Sequence, residues 1–309
     1  MEEEDFDFTK PAGPQSAPKP AAPPPERAAA PSAPFKPAQS RFYDAAVAER
    51  IFRAAGKAER FAAGQVLFAE QDKSGGLFRG AARMYFVVDG EVSLSHGGKP
   101  LDVVKPGEIF GEMAVVSERP RSATATAKSD GTAFSLDRSE LQAALAKAPE
   151  FALMLMSVMF DRLRFLAALA ARRGNVGGAV RESTVFDADM LERFEQALPR
   201  AGVVRHWQDA TIMREGQSGA FMYVVKSGRV AITIRAALVE IVLPGGTFGE
   251  MALVDQSPRT ASANSQTECE LLQVDRPGLL AAVSAQPAFG LAMLRAVAER
   301  LRHMNAQLN

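Results

Sequence analysis

Short apolar runs broken by glycine fill two stretches of this chain, and longer apolar runs with helical spacing separate and follow them. Residues 65–69, 85–88, 90–95, 102–104 and 132–136 read as strands, as do 211–214, 221–225, 228–235, 239–243 and 268–274. Asp89-Gly90-Glu91 and Ser227-Gly228-Arg229 read as hairpin turns, where glycine accepts a backbone that other residues resist. Val87, Val92 and Leu94 alternate onto a core face. Helical spacing marks 42–55, with Phe42, Val47, Ile51 and Phe52 on one side, and also 190–198, 138–147 and 277–284. The run 150–173 is apolar on more than one face, which predicts burial against its own strands and against a second surface, another domain or another protomer. A comparable helix runs from Pro287 to the end. About eight short strands with tight turns in each half predict a mainly β protein with flanking α: two tandem jelly-roll β-barrels, each with a leading helix and following helices.

The two halves are copies. Residues 106–127 read PGEIFGEMAVVSERPRSATATA and 244–263 read PGGTFGEMALVDQSPRTASA. Phe110, Gly111, Glu112, Met113 and Ala114 return as Phe248, Gly249, Glu250, Met251 and Ala252, and Pro120-Arg121 returns as Pro258-Arg259. Every pair is 138 residues apart, so the duplication carries no gap here. Upstream the offset becomes 145, because the first copy holds seven extra residues within Gln71–Arg83. That copy also has Gln71 where the second has Gly216.

Each repeated stretch is a turn followed by Phe-Gly-Glu and a short apolar helix, the layout of a loop feeding a helix N-terminus, where free N–H groups favour an anion. Glycine lets backbone approach a ligand closely. Nine residues after each glutamate an arginine returns, and a guanidinium grips two phosphate oxygens in a fork that lysine cannot copy. Ser122-Ala123 and Thr260-Ala261 behind the arginines leave room and add a hydroxyl. The glutamate repels phosphate and therefore calls for a donor such as a sugar hydroxyl. A phosphate beside a donor hydroxyl points to a nucleotide.

Both stretches resemble the phosphate-binding cassette of cyclic nucleotide-binding domains, FGE-[LM]-A followed by PR-[ASTC]-A. The resemblance implies that Glu112 and Glu250 hold a ribose 2′-hydroxyl. It implies that Arg121 and Arg259 hold the cyclic phosphate, with backbone from Phe110 to Ala114, Ser122-Ala123, Phe248 to Ala252 and Thr260-Ala261. That family usually has glycine at the position of Gln71. Related proteins cover the purine with the last helix, which makes Asn305 a candidate; its counterpart is Ala167. Arg121-Ser122 resembles bacterial cyclic-AMP receptors and Arg259-Thr260 the cyclic-GMP-preferring members, so cyclic AMP is favoured modestly over cyclic GMP.

Composition narrows the rest. Thirty-six basic and 36 acidic residues cancel, so no global field draws the chain to nucleic acid or an anionic membrane. Cys269 is the only cysteine, which excludes an intrachain disulfide and fits a reducing compartment; it reads as a small residue near a strand. No apolar run reaches the roughly 18 residues of a membrane span, and the acidic start MEEEDFDF is unlike a signal peptide. A cytoplasmic protein is expected. Residues 1–40 hold ten of the 19 prolines and nine alanines, a composition that favours a disordered arm. Division into domains at 41–173 and 187–309, joined by a Gly-containing linker at 174–186, follows.

Three histidines, His96, His206 and His303, sit at unrelated positions, so no metal site and no cofactor are expected. No nucleophile triad or P-loop stands out, and the chain reads as a non-enzyme. His206-Trp207 reads as packing. Arg172-Arg173-Gly174-Asn175-Val176 resembles a kinase pseudosubstrate but lies between the repeats, and reads as a helix end before a flexible stop. The expected role is a second-messenger receptor that binds cyclic nucleotide in two cassettes and signals to a protein partner by rearranging helices; a homodimer through 150–173 or 288–308 is one arrangement open to it. The alternatives are a catabolite-activator-type regulator, whose helix-turn-helix is not found before Asn309, a kinase regulatory subunit, and a ligand-blind scaffold.

Overall fold

The structure, a computed structural model, describes residues 42–72, 81–172, 180–200 and 202–308. The Pro/Ala-rich arm, most of the seven-residue insertion and the Gly174–Val176 stretch lie outside the described residues.

The first repeat runs α1 (Ala45–Ala55), β1 (Lys57–Phe61), β2 (Val66–Phe68), β3 (Met84–Asp89), β4 (Val92–His96), β5 (Lys99–Val104), β6 (Ile109–Phe110), α2 (Glu112–Ser117), β7 (Thr124–Ala127), β8 (Gly131–Leu136), α3 (Arg138–Lys147) and α4 (Glu150–Arg172). The second runs β9 (Arg181–Ser183), α5 (Ala188–Ala197), β10 (Gly202–His206), β11 (Thr211–Met213), β12 (Phe221–Ser227), β13 (Val230–Ile234), β14 (Ala237–Val242), β15 (Thr247–Phe248), α6 (Glu250–Asp255), β16 (Ser262–Ser265), β17 (Cys269–Asp275), α7 (Arg276–Ala285) and α8 (Pro287–Leu308). Local chemistry sets the helix starts. Asp44, Asp137, Asp187 and Asp275 each accept backbone N–H bonds at an N-terminus, and Asp137 with Glu140 completes a capping box.

Each repeat packs two sheets over a shared core. In the first the orders are β1-β8-β3-β6 and β2-β7-β4-β5; in the second they are β10-β17-β12-β15 and β11-β16-β13-β14-β9. Pairing is antiparallel except for β9, which lies parallel to β14 at the sheet edge. Within each repeat the two sheets are hydrogen-bonded separately and joined through side chains. Phe68, Tyr85, Val87, Val92, Phe110 and Ala133 fill one core; Val225, Val230, Phe248, Ala263, Cys269 and Leu271 fill the other. Val87 and Val92 are fully buried, as the alternation requires, and Cys269 opens β17 as a buried thiol.

A third core is made of helices from both repeats. Phe52, Phe151, Phe160, Phe186, Phe194, Phe289 and Leu294 belong to one continuous cluster, each such side chain contributing about 1.5–3 kcal/mol on burial. Within it α4 and α8 pack along one another. The second surface demanded by the apolar α4 is therefore the equivalent helix of the other repeat, inside the same chain. Trp207 departs from expectation: it is 76% exposed in the turn after β10 and does no packing. The β10–β11 turn is closed instead by Ser265, whose hydroxyl donates to the Trp207 carbonyl at 2.5 Å, so the ring is not needed to hold it.

Candidate ligand-binding cassettes

The repeated stretch is built the same way twice. Gly111 has φ of 77° and Gly249 of 78°, the left-handed conformation that L side chains resist, and each opens the short helix behind it. Space is tight as well, against the arginine tips. A Cβ on Gly111 would stand 3.0 Å from Arg121 Nη1, and one on Gly249 would stand 2.6 Å from Arg259 Nη1.

The arginines lie folded against the backbone. Arg121 Nη1 donates to the Gly111 carbonyl at 3.0 Å and Nη2 to the Arg83 carbonyl at 2.7 Å. Arg259 donates to the Gly249 carbonyl at 2.6 Å and the Phe221 carbonyl at 2.7 Å, the same pair of positions 138 residues on. Their main chains are equally fixed. Gln71 N donates to Arg121 O, and Gly216 N to Arg259 O, at 2.9 and 2.8 Å. Gln71 takes the left-handed φ of 63° that Gly216 takes at 83°, so the turn survives the loss of glycine.

These are buried cations without an anion. Arg121 is 1% exposed and Arg259 6%. Among the described residues no carboxylate comes within 4.0 Å of either guanidinium. Arg121 Nε is buried with no hydrogen-bond partner, and its guanidinium stacks on Phe68 at 3.9 Å from the ring centre. Burial pulls both guanidinium groups below their ordinary pKa, and only more distant acidic groups oppose it. Ser122 and Thr260, next in the chain, point their hydroxyls at the thioethers of Met113 and Met251, at 3.7 and 3.3 Å. Thioether sulfur is a weak acceptor that an oxyanion would outcompete.

The glutamates are the reverse case. Glu112 and Glu250 are each 3% exposed and each is paired with an arginine from the repeat's last helix: Arg162 on α4 and Arg300 on α8. Arg162 and Arg300 are themselves 138 positions apart. Neither was singled out from the sequence, although the same offset that finds the cassettes would have found them. The second site carries more charge. Arg300 also donates to Glu240 at 3.2 Å, Glu240 pairs with Arg181 at 3.3 Å, and Arg181 with Glu299 at 3.3 Å. Burial pulls the Arg300 guanidinium down, but the Glu240 and Glu250 carboxylates outweigh it and hold it above its ordinary pKa. In the first repeat Asp102 stands where Glu240 stands, and burial pushes its carboxyl up.

The sequence had set His96 aside, yet its Nδ1 lies 3.1 Å from the Ser122 carbonyl and 3.0 Å from Glu70, at the rim of the first cassette. Asn305 lies on α8, half-buried. His206 and His303 lie in β10 and α8, away from one another, and the described residues hold no group of three metal-ligating side chains. No single helix among them is long and apolar enough to cross a membrane.

Each repeat thus carries one copy of the same site, a buried cation with no carboxylate in reach beside an arginine-clamped glutamate. The chain belongs to the cyclic nucleotide-binding domain family, whose profile matches residues 58–148 and 204–286. It is similar to a CRP-like cAMP-activated global transcriptional regulator of Mycobacterium tuberculosis, 36% identical over 103 residues, 32% of this chain and 46% of the regulator. It is also similar to a cAMP-dependent protein kinase regulatory subunit of Yarrowia lipolytica, 26% identical over 197 residues, 63% of this chain and 47% of the subunit. The chain thus spans about half the length of these curated relatives. Among solved structures it matches the regulatory domain of Toxoplasma gondii PKA with cAMP, at 22% identity over 81% of this chain and 95% of that one, with a TM-score of 0.29.

Proposed function

We propose that this protein is a second-messenger receptor with two cyclic nucleotide sites, and that each site signals by repositioning the long helix behind it. Site one comprises Phe110, Gly111, Glu112, Met113, Ala114, Arg121, Ser122 and Ala123; site two comprises Phe248, Gly249, Glu250, Met251, Ala252, Arg259, Thr260 and Ala261. The observation that carries this reading is the pair of buried arginines with no carboxylate in reach. A buried charge is costly unless paired, and a cyclic phosphate would supply the missing anion.

The glutamates supply the second half of the recognition. A ribose hydroxyl that donates to Glu112 or Glu250 enters an ion pair with Arg162 or Arg300, so the ligand meets the helix as well as the cassette. Ligand binding transmits a signal only if it favours one arrangement of that helix over another. Relatives are named for cAMP and for cGMP alike, so the modest preference for cyclic AMP over cyclic GMP rests on the Arg121-Ser122 resemblance alone. The role is binding and transmission to a protein partner in the cytoplasm rather than catalysis. The units that act are residues 41–173 and 187–309, with the arm at 1–40 outside them.

Calorimetric titration of the whole protein with cyclic AMP and then cyclic GMP tests this. Two ligands per chain, with tighter binding of cyclic AMP, is the expected result. One ligand per chain would make the first site silent. No heat and no thermal shift with either nucleotide would leave a scaffold in place of a receptor.

A further inference from the structure

Two residues past Arg162 and Arg300, each long helix carries an arginine that reaches into the other repeat, although Arg164 also pairs with Asp161 of its own helix at 2.6 Å. Arg164 on α4 bonds Asp255 and, at 3.1 Å, the Ser257 hydroxyl, both in the second cassette. Arg302 on α8 donates to the Pro120 carbonyl at 2.8 Å and the Ser117 hydroxyl at 3.4 Å, both in the first cassette. Arg164 and Arg302 are 138 positions apart, and so are Ser117 and Asp255. The two helices therefore reach across from equivalent positions, Arg164 to a carboxylate and a hydroxyl, Arg302 to a carbonyl and a hydroxyl. A third contact joins α8 to the first cassette, Glu299 with Arg119 at 3.7 Å.

Helix geometry explains how one helix reaches both cassettes. Residues two apart on an α-helix point about 200° apart. Arg162 and Arg300 face their own repeat's glutamates; Arg164 and Arg302, two residues on, face the opposite way. Each long helix is wedged between two cassettes. The residues held across the chain lie one to four positions before the candidate phosphate arginines: Ser117 and Pro120 before Arg121, Asp255 and Ser257 before Arg259.

We propose that the two sites exchange helices: Arg302 of the second repeat is a positioning residue for the Arg121 site, and Arg164 of the first repeat for the Arg259 site. This rests on the receptor reading above and goes beyond it. A helix that moves when its own glutamate binds ribose also moves the arginine that holds the other site's phosphate hairpin. The two sites are then coupled, and by linkage the coupling is the same in both directions.

Two measurements on the full chain test it. The first needs no ligand. Amide hydrogen exchange should rise most over residues 117–122 in Arg302→Met, and most over 255–260 in Arg164→Met, by about tenfold in each. The second uses cyclic AMP with one site at a time disabled. In an Arg259→Ala background, where the first site alone binds, Arg302→Met should weaken binding about tenfold. The loss should exceed by at least fivefold any loss that Arg302→Met causes in an Arg121→Ala background, and Arg164→Met should give the mirror image. Arg302→Lys and Arg164→Lys, which keep the charge, should fall between and replace the methionine variants if those fail to fold. Losses that fall on the helix's own repeat, or equally on both, overturn the proposal, as does unchanged exchange at the opposite hairpin. If the unaltered chain binds no nucleotide, the receptor reading falls, and the exchange data still decide whether the hairpins are held across the chain.

Discussion

Glu112 and Arg162 meet across 50 positions of chain, and Glu250 and Arg300 meet across the same 50. The second pair is the more embedded, since Arg300 also holds Glu240. Removing one partner of a buried pair leaves a charge without water or counterion, a loss of about 3–5 kcal/mol. Arg300→Met should therefore destabilise the protein strongly and Arg162→Met less. Thermal melts of Arg300→Met and Arg162→Met against the unaltered protein read the difference, and equal losses would mean that the added Glu240 contact contributes nothing to the second pair.

Arg259→Ala separates binding from folding. The guanidinium makes two good bonds to backbone carbonyls, but it is a buried cation that no carboxylate neutralises. These terms oppose one another, so the ligand-free variant should stay within about 1 kcal/mol of the unaltered protein. Cyclic nucleotide binding at that site should weaken by about 3–5 kcal/mol, because a phosphate would be left without its counter-charge. Differential scanning with and without cyclic AMP reads both quantities. A large loss of ligand-free stability with intact binding would make Arg259 a structural residue.

Much of this architecture was legible because the chain repeats itself, and the failures have a physical pattern. The cassettes, the glycine hairpins and α3 were visible as residue types at fixed spacing. β1 and β10 were not, because Lys57–Phe61 and Gly202–His206 are sheet-edge strands whose burial does not alternate cleanly. β9 lies in the stretch read as linker, three residues long and polar. The arginines on α4 and α8 looked like the charged side of amphipathic helices; only packing of the two helices against both cassettes shows what they touch. Trp207 was misread because a large aromatic normally buries itself.

Gly219 offers a sharp steric test of the second site. A Cβ there would stand 2.2 Å from Arg259 Nε and 2.3 Å from its Cζ. The guanidinium would have to leave its two carbonyls, since both close atoms belong to the rigid planar group. Gly219→Ala should therefore weaken nucleotide binding at the second site by about tenfold or more, through loss of charge-assisted bonds. Binding at the first site, titrated in the same molecule, is the internal reference. Equal loss at both sites would point to general destabilisation.

Gln71 carries a strain that Gly216 does not. Both sit in the left-handed region and donate the same backbone bond, Gln71 to the Arg121 carbonyl and Gly216 to the Arg259 carbonyl. A residue with a Cβ gives up about 1–2 kcal/mol there relative to glycine. Gln71→Gly should raise the melting temperature by a few degrees, reduced somewhat because glycine also gains freedom in the unfolded chain. Nucleotide affinity at the first site should hold or improve. A fall in stability would show that the glutamine side chain contributes more than its backbone costs.

Glu108 makes the last test a matter of sign. Its carboxylate is buried near the start of the first cassette, and the Lys105 N–H donates to it at 2.8 Å. Burial raises its pKa more than that bond and the Lys105 and Arg162 charges lower it, while Asp102 nearby adds to the rise. A carboxyl whose folded pKa lies above its unfolded one contributes stability that is fully present below the unfolded value, about 4.3 for glutamate. That contribution is lost as pH rises through the folded pKa. Glutamine keeps the acceptor and cannot ionise, so Glu108→Gln should melt higher than the unaltered protein at about pH 7. The two melts should converge as pH falls to about 4. If the glutamine variant melts lower at neutral pH, the charged carboxylate is being held by its neighbours rather than tolerated by them.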